Sequence, residues 1–505
     1  MASELVARGV RGGRVVVLGQ AVKILAQMTG VVVLSRLLEP TDFGLIAMVA
    51  LFLALGDLIR DFGLPLAALQ TPTLSQAQAS NFFWASALLG ATMGGVLVAL
   101  TPVIVSVFDE PRLQTLVPVM ALTLPLNGLQ AQIGVQIARA MRFSVLALTD
   151  VCAQLAGLTA AIIGALADLG YWALVFQVLT VPLVLLISRV VASRWRPSLP
   201  KRRVGTRKLL KSGGELGLAS LLSFAATNVD TLVIGMKWSA ASLGYYSRAY
   251  QLFTTPKMVL LDPLTPVVLP TINETPSNGA RRSLDILLRL QFALGVPVAW
   301  VYLLGAATAG SVIPLLLGDQ WRPVVPVFTV LAIGGFFAAF GYINYWTFMV
   351  MQKSGGLLRL HLITKPLNVL LVVIAAPQGI VAVALAQACS LAINWPINLL
   401  WLSRTTDLDF WAFFKNGIRI PVAAGAALIA ARMLQRNGGQ FPVFLEIFGG
   451  AALASGVYLL LLVLLPGGWR DLRLLMSASA FLKGGWRRSR GMTIDPAPTN
   501  GPDER

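Results

Sequence analysis

The sequence predicts an all-α polytopic membrane protein, and three observations carry that expectation. From Val15 to Pro466 the 505-residue chain is a succession of apolar stretches of about 20 residues joined by short loops, the length a helix needs to cross a bilayer's hydrocarbon core. Hydrophobic residues make up 56% of the chain and charged residues 12%, and the mean hydropathy is +0.75, well outside the range of soluble domains. The basic residues fall in alternate loops instead of on one folded surface, so the net charge of +18 reports membrane orientation and not a nucleic-acid-binding face.

Candidate spans lie at about 15–38, 43–69, 80–107, 113–138, 143–167, 170–193, 212–236, 242–269, 285–308, 324–351, 356–376, 379–403, 412–434 and 443–466, roughly fourteen in all. The first is too long, and too interrupted by Lys23, for a cleavable signal peptide, and reads as a retained helix. Arg8, Arg11 and Arg14 precede it, Arg139 and Arg142 follow the fourth span, and a basic run at 194–211 follows the sixth. Arg281, Arg282, Lys353, Arg359, Arg404 and Lys415 continue the even-numbered pattern. Odd connections are short and nearly free of Lys and Arg, with Lys237, Arg322, Arg432 and Arg436 as exceptions. By the positive-inside rule both termini are cytoplasmic. Residues 467–491 mix Trp469, Phe481 and Trp486 with six basic residues, as an interfacial helix on anionic lipid would, and 496–505 reads as disorder. Cys152 and Cys389 lie within spans, offer no metal-ligand spacing and read as small packing residues.

The connection at 194–211 divides the chain after six spans, and the two sides echo each other. LSRLLEPTDFGL at 34–45 resembles IGMKWSAASLGY at 234–245, with Gly44 matching Gly244; Asp61, Pro65 and Leu66 then match Asp262, Pro266 and Val267. An even number of spans between the copies implies parallel halves that rock about an axis along the membrane normal, chance likeness of apolar segments being the other reading. The division expected is an N-terminal lobe at 1–208, a C-terminal lobe at 209–405, an extra helix pair at 406–466 and a basic cytoplasmic tail at 467–505.

SRLLEPTDFGLIAM (35–48), DLIRDFGLPLAALQ (57–70) and LSQAQASNFFW (74–84) closely resemble the N-terminal helices of Wzx-like polysaccharide flippases, in the multidrug/oligosaccharidyl-lipid/polysaccharide exporter superfamily. MRFSVLALTD (141–150), GYWALVFQ (170–177), RWRPSLP (194–200), NVDTLVIG and LGYYSRAYQL (228–252) continue the resemblance in order and spacing. It implies two six-helix lobes around a central cavity, in a bacterial inner membrane. It also implies alternating-access transfer of an undecaprenyl-pyrophosphate-linked oligosaccharide from the cytoplasmic to the periplasmic face, for exopolysaccharide or lipopolysaccharide synthesis. Membrane lipids, a polysaccharide polymerase and assembly proteins are the partners that go with such a role; nucleic acid is not one.

The residues themselves indicate where an anionic headgroup could sit. Gln20, Lys23 and Gln27 share one face of the first span; Gln132, Gln136 and Arg139 do so on the fourth, His361, Lys365 and Asn368 on the eleventh, and Gln387, Asn394 and Asn398 on the twelfth. Together they describe a polar, net-basic vestibule open to the cytoplasm: Lys and Arg suit a pyrophosphate, and amides suit a glycan. For any one of them, snorkelling to headgroups or interhelical hydrogen bonding is the ordinary alternative. Asp57, Arg60 and Asp61, at i, i+3 and i+4, can neutralise one another or exchange partners as a switch. Asp230, in NVD, is a candidate for H+ or Na+ coupling, a helix-packing hydrogen bond being the other reading; no further cofactor is implied. Mid-span prolines such as Pro182, Pro256 and Pro366 allow bends, and Gly90 and Gly94 allow close packing.

Two rival classes remain. A membrane-embedded glycan polymerase or acyltransferase would need catalytic groups, but His361 is the only histidine, there is no HExxH or Walker loop, and no outer loop could house a catalytic domain. A cation-coupled drug exporter of the same superfamily would call for an acidic cavity, the opposite of the basic stripes.

Overall fold

The computed structural model describes residues 2–61, 68, 74–201, 221, 224, 227–273, 279–351, 354–437 and 442–465. Among these the chain forms eighteen α-helices and no strand. The first group is α1 (Ala2–Leu37), α2 (Pro40–Asp61), α3 (Gln76–Ala99), α4 (Thr101–Phe108), α5 (Leu113–Ala121), α6 (Thr123–Arg139), α7 (Phe143–Leu166) and α8 (Tyr171–Ala192). The second is α9 (Val229–Lys237), α10 (Ala240–Leu260), α11 (Thr265–Asn273), α12 (Gly279–Leu317), α13 (Val324–Gly335), α14 (Ala338–Val350), α15 (Ser354–Ala375), α16 (Ile380–Thr405), α17 (Phe410–Asn437) and α18 (Val443–Leu464).

Twelve segments among the described residues are long and apolar enough to cross a membrane. They coincide with all of the expected spans but the seventh and eighth. The seventh lies largely outside the described residues, as does the expected interfacial tail. The eighth is α10, long enough at 21 residues but interrupted by Tyr246, Arg248, Tyr250, Gln251 and Lys257. Its polarity has a physical reason: α10 packs between α2 and α13, so these side chains meet protein instead of lipid. Large side chains such as Leu88, Ile163, Ile187, Leu370 and Ile429 are exposed, as a lipid-facing surface requires.

Within the first group α7 runs along α8 and α1, and α3 along α6; within the second α12 contacts α13, α14, α17 and α18, and α16 contacts α13 and α15. The main seam between the groups is α2 against α10. Here the matched glycines meet. A Cβ on Gly44 would lie 1.7 Å from the Ala240 carbonyl oxygen, and one on Gly244 would lie 1.9 Å from that of Pro40. The contact is reciprocal, each helix offering its glycine to the other's backbone four residues earlier, as a pseudo-two-fold crossing demands. Leu45, Met48, Leu243 and Tyr246 are fully buried beside it. Arg248 lies 3.8 Å from the Phe43 ring centroid and 5.9 Å from that of Trp321. Trp321 Nε1 in turn donates to the Ser35 carbonyl at 2.7 Å.

Two of the family-like motifs prove to be one structural unit. The segment at 193–201 runs along α3, read by its side chains. Gln76 Nε2 donates to Arg196 O at 2.7 Å, Ser80 Oγ accepts from Ser198 N at 2.9 Å, and Trp84 Nε1 donates to Ser198 O at 2.9 Å. Asn81 exchanges two bonds with the Lys201 backbone, at 2.8 and 2.9 Å. This satisfies extended backbone that no helix or sheet would pair, and α3 itself starts at a Ser75–Gln78 capping box.

Candidate functional site

A cavity of about 320 Å³ opens within the second group of helices, between α10, α14, α15 and α16. All six residues expected on spans eleven and twelve line it: His361, Lys365 and Asn368 from α15, and Gln387, Asn394 and Asn398 from α16. The i, i+4, i+7 spacing on α15 aims its three side chains one way, and α16 packs beside it. Lys257 of α10 completes the basic lining, its Nζ 4.5 Å from the Phe253 ring centroid. Lys365 Nζ reaches Thr227 Oγ1 at 3.5 Å, and Asn394 Nδ2 donates to Ser390 Oγ at 3.1 Å. Among the described residues no Asp or Glu lines this cavity. Lys257 carries no stripe pattern, so its membership could be suspected only from its being a charge in mid-span.

Asp230 sits behind the wall. It is 2% exposed, accepts from Tyr246 Oη at 2.6 Å, from Gln387 Nε2 at 3.1 Å and from the Thr231 amide at 2.8 Å. Gln387 therefore joins the carboxylate to the cavity. No group of three metal-ligating side chains occurs among the described residues.

The stripes of α1 and α6 go elsewhere. Gln20 and Gln27 border a space of about 30 Å³ with Thr255 and Met258 of α10. Lys23 Nζ lies 3.7 Å from Asp150 Oδ2, and the same carboxylate accepts from Arg189 Nη2 at 2.9 Å while Arg189 Nη1 donates to Gln130 Oε1. Gln132 is fully buried, and neither of its amide atoms has a hydrogen-bond partner among the described residues. Gln136 is partly buried, its Nε2 likewise unpartnered, and Arg139 donates to the Ala68 carbonyl at 2.7 Å. α6 packs between α3 and α8, so its polar face meets neighbouring helices. Periodicity identifies a shared face; it does not identify what that face looks at.

Arg60 is 5% exposed and bonds both neighbouring carboxylates. Its Nη1 donates to Asp57 Oδ1, and its Nε and Nη2 donate to Asp61 Oδ1 at 3.0 and 2.8 Å. Asn127 Nδ2 adds contacts of 3.3 Å to both oxygens of Asp57. This triad, with a fourth member from α6, does not line the cavity.

Residues 33–326 match a protein family described as "Polysaccharide biosynthesis protein". The chain belongs to this family. The polysaccharide-biosynthesis match starts near the end of α1 and runs into α13, taking in the glycine crossing, the strap on α3, Asp230 and Lys257. Among curated relatives, the lipopolysaccharide biosynthesis protein WzxC of Escherichia coli (strain K12) is 24% identical over 63% of this chain and 64% of its own length. The chain thus spans just under two thirds of that relative. The succinoglycan biosynthesis transport protein ExoT of Rhizobium meliloti (strain 1021) is 24% identical over 86% of the chain and 88% of ExoT. Among solved structures, the lipid II flippase MurJ in an inward closed conformation superposes with a TM-score of 0.68 and 14% identity, covering 90% of this chain and 99% of MurJ. An inward-facing multidrug-resistance MATE transporter of the MOP superfamily gives 0.56 at 14% identity, over 78% and 96%. The fold of this polysaccharide-biosynthesis protein is that of the MOP-superfamily transporters.

Proposed function

We propose that the protein moves a lipid-pyrophosphate-linked oligosaccharide from the cytoplasmic to the periplasmic face of a bacterial inner membrane by alternating access. The observation that carries this reading is the sign of the cavity: Lys257, Lys365 and His361 line it without a carboxylate among the described residues. Two ammonium groups in one low-dielectric space repel each other and call for an anion. A phosphate group supplies that anion, and the amides of Asn368, Gln387, Asn394 and Asn398 offer hydrogen bonds suited to a glycan. WzxC is named for lipopolysaccharide biosynthesis and ExoT for succinoglycan biosynthesis transport, and both names agree with this reading.

In this reading residues 1–208 and 209–405 are the moving lobes, 406–466 an added helix pair, and both termini are cytoplasmic. The α2–α10 crossing then closes the periplasmic end, and the cavity belongs to the cytoplasmic half. At about 320 Å³ it stands at the lower limit of small-molecule sites, enough for a headgroup; a longer glycan needs the lobes to part. The translocated glycolipid then passes to a polymerase and assembly proteins. The MATE likeness in fold raises a drug exporter as the second reading, and a cationic drug would meet two lysines there. Reconstituted vesicles test the choice: the glycolipid crosses and a cationic drug does not. Transport of the drug with no movement of the glycolipid would reverse the assignment.

A further inference from the structure

The strap at 193–201 satisfies its backbone on α3 and leaves its cations outward. Its side chains divide by direction: Trp195 and Ser198 bond to Gln76 and Ser80 of α3, whereas Arg194, Arg196, Leu199 and Lys201 are exposed. The ion pairs among the described residues draw on Lys23, Arg60, Arg112, Arg189 and Arg322, and on none of the strap's three cations. No Asp or Glu occurs anywhere in 194–211.

Firm seating distinguishes these cations from those of a loose basic loop. Gln76 holds two successive residues, its Oε1 accepting from Trp195 Nε1 at 2.6 Å and its Nε2 donating to Arg196 O at 2.7 Å. The Trp195 ring lies edge-on to that of Phe83, with centroids 6.0 Å apart, and Ser80, Asn81 and Trp84 hold Ser198 and Lys201. Arg194 and Arg196 therefore leave the same side of an extended chain, with Cα atoms about 6.5 Å apart.

The strap also lies at headgroup depth. α3 is one of the segments long and apolar enough to cross a membrane, and the strap bonds its first three turns, between Gln76 and Trp84. Beside the cations the surface is apolar: Trp84 is 41% exposed, Leu88 69% and Leu199 of the strap itself 78%. Indole rings favour this boundary, and arginines next to it extend toward phosphates. No residue of α3 or the strap lines the cavity, so this surface is separate from it.

We infer that Arg194, Arg196 and Lys201 form a binding site for the phosphate groups of anionic phospholipids. Each guanidinium can hold a phosphate through two parallel N–H bonds, and a strap already ordered by α3 loses little further freedom on doing so. The continuity of the cations with Trp84, Leu88 and Leu199 favours a lipid over a soluble acidic protein, because an acyl chain can lie along the apolar side chains while its phosphate meets the arginines. The site is independent of what the cavity carries.

Native mass spectrometry of the full chain in detergent micelles, titrated with dioleoyl phosphatidylglycerol or dioleoyl phosphatidylcholine, tests the site. The wild type binds phosphatidylglycerol about tenfold or more tightly than phosphatidylcholine. Arg194→Gln, Arg196→Gln and Lys201→Gln together reduce that preference to about twofold or less. The same charge removed next along the chain, by Arg202→Gln, Arg203→Gln and Arg207→Gln, leaves most of it. Gln76→Ala unseats Trp195 and Arg196 but keeps every cation, and weakens phosphatidylglycerol binding several-fold. In lipid-free detergent the strap triple variant melts at the wild-type midpoint, its three side chains having no ion pair to lose. No preference for the anionic lipid in the wild type, equal loss in the two triple variants, unchanged binding in Gln76→Ala, or a clear fall in the midpoint of the strap variant would overturn the site.

Discussion

Replacing Gly44 by alanine tests the seam that joins the two groups of helices. The new methyl carbon would lie 1.7 Å from the Ala240 carbonyl oxygen, against the 3.0 Å below which real contacts essentially do not occur. The obstacle is backbone, so no rotamer change relieves it, and α2 and α10 must separate by more than an ångström. Overpacking costs about 1–3 kcal/mol where side chains can adjust; here the figure belongs at the upper end, about 3 kcal/mol. Part of it is the attraction lost between Leu45, Met48, Leu243 and Tyr246 as the gap opens, since a gap of about 0.5–1 Å already forfeits a quarter to a half of each contact. Gly244→Ala meets the Pro40 carbonyl at 1.9 Å and costs the same. Once the helices have parted the second methyl finds room, so the double variant is much less destabilised than the two single effects added together. Melting of the purified protein, followed by tryptophan fluorescence, reads the midpoint: each single variant falls by several degrees and the double variant by scarcely more. An unchanged midpoint for Gly44→Ala, or full additivity, would refute the close reciprocal crossing.

Three further outcomes follow from the geometry. Asp150→Asn deprives Lys23 and Arg189 of their shared carboxylate and destabilises by about 2 kcal/mol, a partly exposed version of a broken buried pair; adding Lys23→Gln recovers part of the loss, measured as a double-mutant cycle. Asn81→Ala removes both bonds to Lys201, and the strap at 193–201 becomes several-fold more susceptible to trypsin at Arg194, read by mass spectrometry, while α3 stays folded by circular dichroism. In the loop between α4 and α5, Arg112 donates to both oxygens of Glu110 at 2.8 and 2.9 Å, and this bonding holds the Glu110 carboxyl below the usual carboxylate range. A depressed pKa stabilises the fold above the unfolded value, with the benefit lost as pH falls through the folded one. Glu110→Gln therefore lowers the midpoint by a constant amount near neutrality, and the gap from wild type closes on acidification.

The class of fold was legible because bilayer thickness imposes one length on every apolar run, and twelve of the expected spans follow it. α10 escaped that rule by being enclosed in protein. The correspondence of Gly44 with Gly244 could be read from the repeat, but not that the two glycines touch, since sequence similarity relates equivalent positions without bringing them together. For the site, the stripes of α15 and α16 meet in one cavity, whereas those on α1 and α6, equally regular in sequence, do not join it. The difference lies in rotation about each helix axis, which neighbouring helices set. Asp150 and Arg189 are 39 positions apart, on adjacent helices, and no local pattern couples them.

Flipping of a headgroup-labelled, pyrophosphate-linked oligosaccharide lipid in vesicles, compared between two pairs of neutralised cations, tests the central claim most directly. Lys257→Gln with Lys365→Gln removes both lysines from the cavity; two charge-assisted contacts at about 1.5–3 kcal/mol each correspond to a loss of about a hundredfold or more. Lys23→Gln with Arg139→Gln removes cations already engaged with Asp150 and the Ala68 carbonyl. The account predicts transport abolished in the first pair and retained within a few-fold in the second. Transport retained in the first pair and lost in the second would contradict it, and would move the anion site to the N-terminal helices.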